Sequence, residues 1–293
     1  MTERQLTMTM LPEKHASSLV LRLVGSTRVR IGFMLMLAVV ALAIAGPFFA
    51  PYGPTELVGV PFDIPQRDFL LGTDTLGRDV LSRFLWGGRS LVWMSLAATA
   101  IALTLATTLG MSAAYFKGRV DDAIMRLIDL KLAFPSIVVA LLFVTMFGSG
   151  KLLLVLLVGI SLAPTGARVV RGAALSVVGR EFVQHAQAIG VPSYRILLRD
   201  VLPNITSPLL VEVGLRLMWA ISALAGLNFL GYGIQSPEAD WGLMINENRN
   251  ALSIQPWAVL APVAAIAIFT IGGNIFAEGI ARVVGRTDKE EAQ

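Results

Sequence analysis

Three small groups of residues in this 293-residue chain have the types and spacing to do chemistry. Gly148-Ser149-Gly150-Lys151 has the glycines and lysine of a phosphate-cradling loop. Thr145 stands where that loop needs its first Gly, and Leu152 follows the lysine where Ser or Thr must hold magnesium, so the stretch reads as a tight turn. Glu212 and Arg216 lie four apart in an apolar run, in the acid-first order that favours pairing on a helix. Each would cost about 2.5–3.5 kcal/mol at a bilayer centre, so the two should pair or face a cavity. They are candidates for a pathway through the membrane. The structural alternative puts Glu212 near one helix end and only Arg216 deep, with the pair holding helices together. Arg126 and Asp129, beside Asp121, Asp122 and Lys131, are either a gate network or a solvated helix end. Asn274 and Glu278 repeat the four-residue spacing, and Glu278 is close enough to the helix end to reach water. There is no Cys, and His15 and His185 are the only imidazoles, which removes thiolate catalysis and sulfur-based zinc sites; no metal site is expected. Neither Gly-x-Ser-x-Gly nor His-Glu-x-x-His occurs, so the chain lacks the signatures of a hydrolase.

The elements that position these residues are membrane helices. Hydrophobic residues make up 55% of the chain and charged ones only 15%, with a mean hydropathy of +0.70, against about 45–50% and about 25% in a soluble domain. Too little polar surface remains to cover a soluble globule. A bilayer core needs roughly 20 apolar residues per helix, and six such runs predict spans near 31–50, 91–115, 124–147 with Pro135 inside, 152–170, 209–230 and 259–280. The fold class is all-α and polytopic. Of the 24 Lys and Arg, 17 fall on the side of the N-terminus, six on the other and Arg216 within a span, so both termini are expected in the cytoplasm. Residues 1–30 then form a cytoplasmic arm, 31–281 the membrane domain, 171–206 a cytoplasmic loop and 282–293 a cytoplasmic tail. Ala43-Ile44-Ala45 resembles a signal-peptide cleavage site, but the arm before it exceeds an ordinary n-region and the apolar run continues to Ala50, so the first run is expected to be retained as a span. Residues 51–67 carry four prolines, which excludes a long helix and predicts an ordered outer loop.

The cytoplasmic loop carries the most specific pattern. Phe182, Val183, Ala186 and Ile189 share one face of a helix, while Glu181, Gln184, His185 and Gln187 occupy the other. Gly190 ends that helix in a Schellman-type stop with Val191 as its apolar contact, and Pro192 prevents continuation. Ser193 is placed to cap a second short helix that must yield near Pro203. The predicted product is a rigid amphipathic elbow. It either rests on lipid, helped by Arg180, Arg195 and Arg199, or fits a groove on a soluble partner.

Gln184-His185-Ala186, Gly190 three residues on, and Leu202-Pro203 resemble the cytoplasmic loop of inner-membrane permease subunits of ATP-binding-cassette importers, whose pattern is Glu-Ala-Ala, three residues, Gly, nine residues, Ile, any residue, Leu-Pro. Gln184, His185 and Asp200 depart from it. Residues 71–83 (LGTDTLGRDVLSR), Tyr115-Phe116-Lys117-Gly118-Arg119, Ala133-Phe134-Pro135 and Phe229-Leu230-Gly231-Tyr232-Gly233 with Trp241-Gly242 are similar to segments of the dipeptide/oligopeptide/nickel branch, in the same order along the chain. Within that branch the chain resembles the second of the two paired permeases. The resemblance implies a type I importer permease fold that docks two ATPase subunits through Glu181, Gln184, His185, Ala186, Ala188, Gly190, Val191, Pro192 and Tyr194. It also implies a homologous second permease, an extracytoplasmic binding protein delivering solute, and ATP with Mg held by the partner ATPases rather than by this chain. No nucleic-acid partner is expected. Di- or oligopeptides are the leading cargo, with nickel chelates, opines and small saccharides as alternatives. A gradient-driven transporter is less well supported, because residues 31–147 and 152–280 show no repeated halves.

Overall fold

The computed structural model describes residues 23–291, with side chains as far as Val283. Among these residues the chain is helical, and its only extended pairings are two isolated bridges, Leu57 with Arg78 and Thr73 with Asp79. The helices are α1 (Thr27–Phe49), α2 (Val80–Phe116), α3 (Gly118–Ala133), α4 (Ser136–Phe147), α5 (Lys151–Val178), α6 (Glu181–Ala188), α7 (Ser193–Ile196), α8 (Thr206–Phe229), α9 (Trp241–Asn248) and α10 (Trp257–Glu291).

Helices α1, α2, α5 and α10, and the helical run Ser193–Phe229 that ends in α8, are long and apolar enough to cross a membrane. The expected third span is not one helix. Residues 124–147 divide between α3 and α4, which meet at a 79° bend. Pro135 removes a helix hydrogen bond and biases Phe134 toward extended backbone, and Phe134 sits at ψ 129. The 12-residue α4 is only about 18 Å long, short of a 30 Å bilayer core, so it crosses only together with α3 or as a re-entrant element. In contrast, α2 begins eleven residues before the predicted start at 91. At 37 residues it is about 55 Å long and projects well beyond the bilayer. Its first turns join residues 51–79 and α9 in a folded cap on one side of the membrane.

The principal core gathers α2, α5, α8, α9 and α10 around Leu91, Met94, Leu154, Ile221, Leu224, Trp241, Met244 and Phe269. Trp241 is fully buried. It stacks on Phe84 at 5.7 Å and donates its indole N–H to the Phe84 carbonyl at 2.8 Å. Gly88 makes room for it, since a Cβ there would lie 2.4 Å from the indole ring. α1 crosses α10 at Gly32, where a Cβ would meet the Phe276 backbone nitrogen at 2.4 Å. α1 thus runs unbroken through Ala43-Ile44-Ala45 and packs as part of the bundle. Residues 282–291, expected as a tail, continue α10; residues 1–22 of the expected arm lie outside the described residues.

Candidate functional site

The elbow is built as its glycine predicts. Gly190 sits at φ +78. The Val191 N–H bonds the Ala186 carbonyl at 3.0 Å, and the Gly190 N–H bonds the Gln187 carbonyl at 3.1 Å, which is the Schellman pair of bonds. Val191 and Ala186 pack on a second core of Met111, Val170, Val177, Val183, Ile196 and Ile205, so the elbow is seated on the ends of α2 and α5. Two details depart from the sequence reading. Of the predicted apolar face only Val183 is buried and Ala186 half-buried, whereas Phe182 and Ile189 are 44% and 66% exposed. Ser193 makes no capping bond and is the first residue of α7, with Pro192 in the cap position.

The second arm of the elbow does not yield at Pro203. It runs through a π-helical turn, Leu197–Val201, and a 3-10 turn, Leu202–Ile205, directly into α8. Pro203 stands at the start of the 3-10 turn, where a missing N–H costs least, and the Asn204 side-chain amide serves the Asp200 carbonyl at 2.7 Å. A side chain has replaced the helix bond that the turn disrupts. The elbow is therefore a rigid link between two spans. Its outward surface is a shallow depression lined by Glu181, Phe182, Gln184, His185 and Ala188, with Tyr194 exposed beside it. The Gln184 amide donates to the Gly179 carbonyl at 3.1 Å, tying α6 back to the end of α5.

Glu212 and Arg216 are both buried, at 4% and 7% exposure. Arg216 donates twice to Glu212 Oε2, at 2.8 and 2.5 Å, and once to Thr165 Oγ1 of α5 at 2.6 Å. Gly166 lies against the pair, 3.2 Å from the Glu212 carboxylate to a built Cβ. Arg216 is about 15 Å into α8; its charge is neutralised by Glu212, and its bond to Thr165 links α8 to α5. Arg126 and Asp129 do not meet. Asp129 pairs with Arg168, and Arg126 is exposed with no partner among the described residues. Asp121 bonds Arg171 at 2.6 and 2.5 Å, and Lys131 donates to the Ser161 carbonyl and Ser136 Oγ at 2.8 and 2.9 Å, so α3 is fastened to α5 along its length. No hydrogen bond or ion pair among the described residues links this set to Glu212 and Arg216. Glu278, repeating that spacing on α10, is half exposed and pairs with Arg28 at 3.0 Å and Arg282 at 2.5 Å. Gly148 to Lys151 is a turn with Gly148 at φ +86, and Lys151 pairs with Glu238 at 2.5 Å.

The cap holds a buried polar network that sequence reasoning missed. Asp74, Arg78 and Arg83 are within 2% of full burial. Glu247 Oε2 accepts from Arg78 at 2.8 Å and from Arg83 at 2.9 Å, while Asp74 Oδ2 accepts from Arg78 at 2.7 Å. Two guanidiniums face two carboxylates, so the cluster is neutral. Beside it, Asp240 caps α9 and accepts from Gly242 N, Asn228 and Ser90 at 2.8, 2.6 and 3.1 Å. Burial pushes the Asp240 carboxyl up from its ordinary range, and those donors oppose the shift. The signal available in sequence was the density of polar residues in 71–83 and 240–248, but their partners are separated by whole spans.

The chain is 34% identical over 256 residues to the di/tripeptide transport system permease protein of Pseudomonas aeruginosa, with 85% of this chain and 84% of that protein covered. It is 33% identical to the glutathione transport system permease protein of Pectobacterium atrosepticum, over 84% of this chain and 83% of that one. Inward-facing structures of the MetNI methionine ABC transporter align at TM-score 0.47 and 14% identity, over 64% of this chain and 94% of theirs. Residues 106–287, which include the elbow and the α5–α8 pair, match the family described as the binding-protein-dependent transport system inner membrane component. The family match over these residues and the relatives at 33–34% identity establish that the chain belongs to that family of transport permeases.

Proposed function

We propose that the chain forms half of the translocation pathway of an ATP-driven importer whose cargo is a di- or oligopeptide, delivered by an extracytoplasmic binding protein. A homologous permease supplies the other half. Two ATPase subunits bind ATP and Mg and dock on the elbow, so the hydrolytic chemistry belongs to them and not to this chain. Both termini lie in the cytoplasm, as the distribution of Lys and Arg argues. The peptide cargo rests on the relatives, which include permeases for di/tripeptides and for glutathione.

The observation that carries the reading is the elbow. One face is locked on the bundle by Val183, Ala186, Val191 and Ile196. The other presents Phe182, His185, Ile189 and Tyr194 to a partner, which is the geometry of a helix seated in a groove. Because the elbow joins α5 and α8 without a flexible segment, a displacement of the docked ATPase reaches both spans, and Arg216 and Thr165 carry them together. Glu212 and Arg216 then act as a brace beside the pathway, and Asp129 with Arg168 as the contact that slides when the spans rock.

The chain's lack of Cys makes a direct test simple. His185→Cys, alkylated with a maleimide-linked benzophenone and irradiated, should crosslink to a partner ATPase subunit in the membrane, and Arg67→Cys in the cap, treated alike, should not. Absence of an ATPase adduct at His185, with the protein at normal levels, would assign the elbow to the lipid surface.

A further inference from the structure

A cavity of about 370 Å³ opens on the cap side of the bundle, walled by Trp86 and Trp93 of α2, by Lys151 at the start of α5, and by Pro237 and Glu238 of the cap. Two features of its chemistry are unspent, and its one carboxylate is not. Arg89, on its rim, is exposed and has no hydrogen bond or ion pair among the described residues. The Trp86 indole N–H is buried without a partner, a state that is rare for a native donor. The one carboxylate at the cavity, Glu238, is already neutralised by Lys151 at 2.5 Å. An unpaired guanidinium beside two indoles takes an anion carried on an apolar body.

The helix surface below the cavity says what that body is. Arg89, Trp93, Leu96 and Ala100 follow one another at helical spacing, and all four are exposed. Over about 16 Å the surface passes from cation to indole to aliphatic, the order in which a membrane passes from headgroup to interface to hydrocarbon. We propose that this site binds an anionic phospholipid, with its phosphate on Arg89 and its acyl chains along Trp93, Leu96 and Ala100. The residues named for the site all lie in this chain. It rests on α2 crossing the membrane and is independent of which cargo the assembly carries.

The test uses the intact transporter, purified in detergent, exchanged into phosphatidylglycerol/phosphatidylcholine mixtures and read by native mass spectrometry. Wild type should retain phosphatidylglycerol in preference to phosphatidylcholine. Arg89→Gln should lower that preference about fivefold, the effect expected of one cation at a membrane surface. Arg89→Lys should keep it, and Arg67→Gln, on the exposed cap loop, should leave it unchanged. Equal retention by wild type and Arg89→Gln would overturn the proposal, as would an equal loss in Arg67→Gln. Displacement of the lipid by excess inorganic phosphate would also overturn it and mark a site for a soluble anion. Arg89 touches neither the elbow nor the α5–α8 brace, so basal ATPase activity should persist in all three variants and report that they are folded.

Discussion

Glu247 and Arg83 are 164 positions apart in the chain and meet at 2.9 Å, where the same carboxylate oxygen also receives Arg78. Together the two bonds tie the segment before α2, through Arg78, and the first turn of α2, through Arg83, to the helix that follows α8. Removing the carboxylate leaves two guanidiniums facing Asp74 alone in a buried site. Glu247→Ala should therefore destabilise the protein by about 3 kcal/mol, the lower end for an opened buried pair because Glu247 keeps some exposure. Thermal unfolding of the purified protein, followed by tryptophan fluorescence, checks this.

The brace between α8 and α5 makes a sharper prediction. Arg216→Met leaves Glu212 buried without its counter-charge and should cost about 3–5 kcal/mol. Replacing both, Glu212→Leu with Arg216→Met, removes the uncompensated charge and should recover most of that loss. A double variant as unstable as the single one would show that the pair does more than hold helices together. Peptide uptake by the double variant separates bracing from a direct role in the pathway.

Close approach of backbones predicts the third outcome. A Cβ on Gly32 would sit 2.4 Å from the Phe276 nitrogen and 2.6 Å from the Gly272 carbonyl oxygen, and backbone atoms cannot rotate away. Gly32→Ala should force α1 off α10 and cost about 1–3 kcal/mol. Gly172→Ala, inside α5 where a Cβ meets nothing within 4 Å, is the control and should be neutral or stabilising by up to about 1 kcal/mol. Equal melting temperatures for the two variants would refute the packing argument.

Gln184 gives a fourth. Its amide donates to the Gly179 carbonyl at the end of α5, a role a carboxylate cannot fill. Gln184→Glu would also place negative charge near a helix C-terminus. Within this chain the substitution should therefore cost about 0.5–1 kcal/mol. Elbow mobility, read by amide hydrogen exchange over residues 181–190, should rise; unchanged exchange would show the contact to be idle.

Much of this was legible in the chain itself. The elbow's stop could be read because Gly190, Val191 and Pro192 act on their own backbone, and the spans could be read because hydropathy is local. The third span could be read as an apolar run bent at Pro135, but not the 79° of its bend, because an apolar window carries no angle. The start of α2 was missed because Arg83 and Arg89 look like loop charges until Glu247 neutralises the first of them. The Asp74, Arg78, Arg83 and Glu247 cluster was invisible for the same reason: its pairing is tertiary, and nothing within either segment announces the other. The exposure of Phe182 and Ile189 shows the converse, since an apolar stripe says which residues avoid water and not which neighbour covers them.

The central claim is that the elbow couples ATP hydrolysis to movement of the spans. Gly190 offers a clean test, because its φ of +78 suits glycine while a Cβ there would meet nothing within 4 Å. Gly190→Val therefore strains the turn without crowding a neighbour, at a cost of at least about 1–2 kcal/mol to the left-handed conformation. Reconstituted with its ATPase subunits, the variant should hydrolyse ATP while peptide uptake falls, so that the ratio of hydrolysis to transport rises. Wild-type uptake at a wild-type ratio would contradict the account.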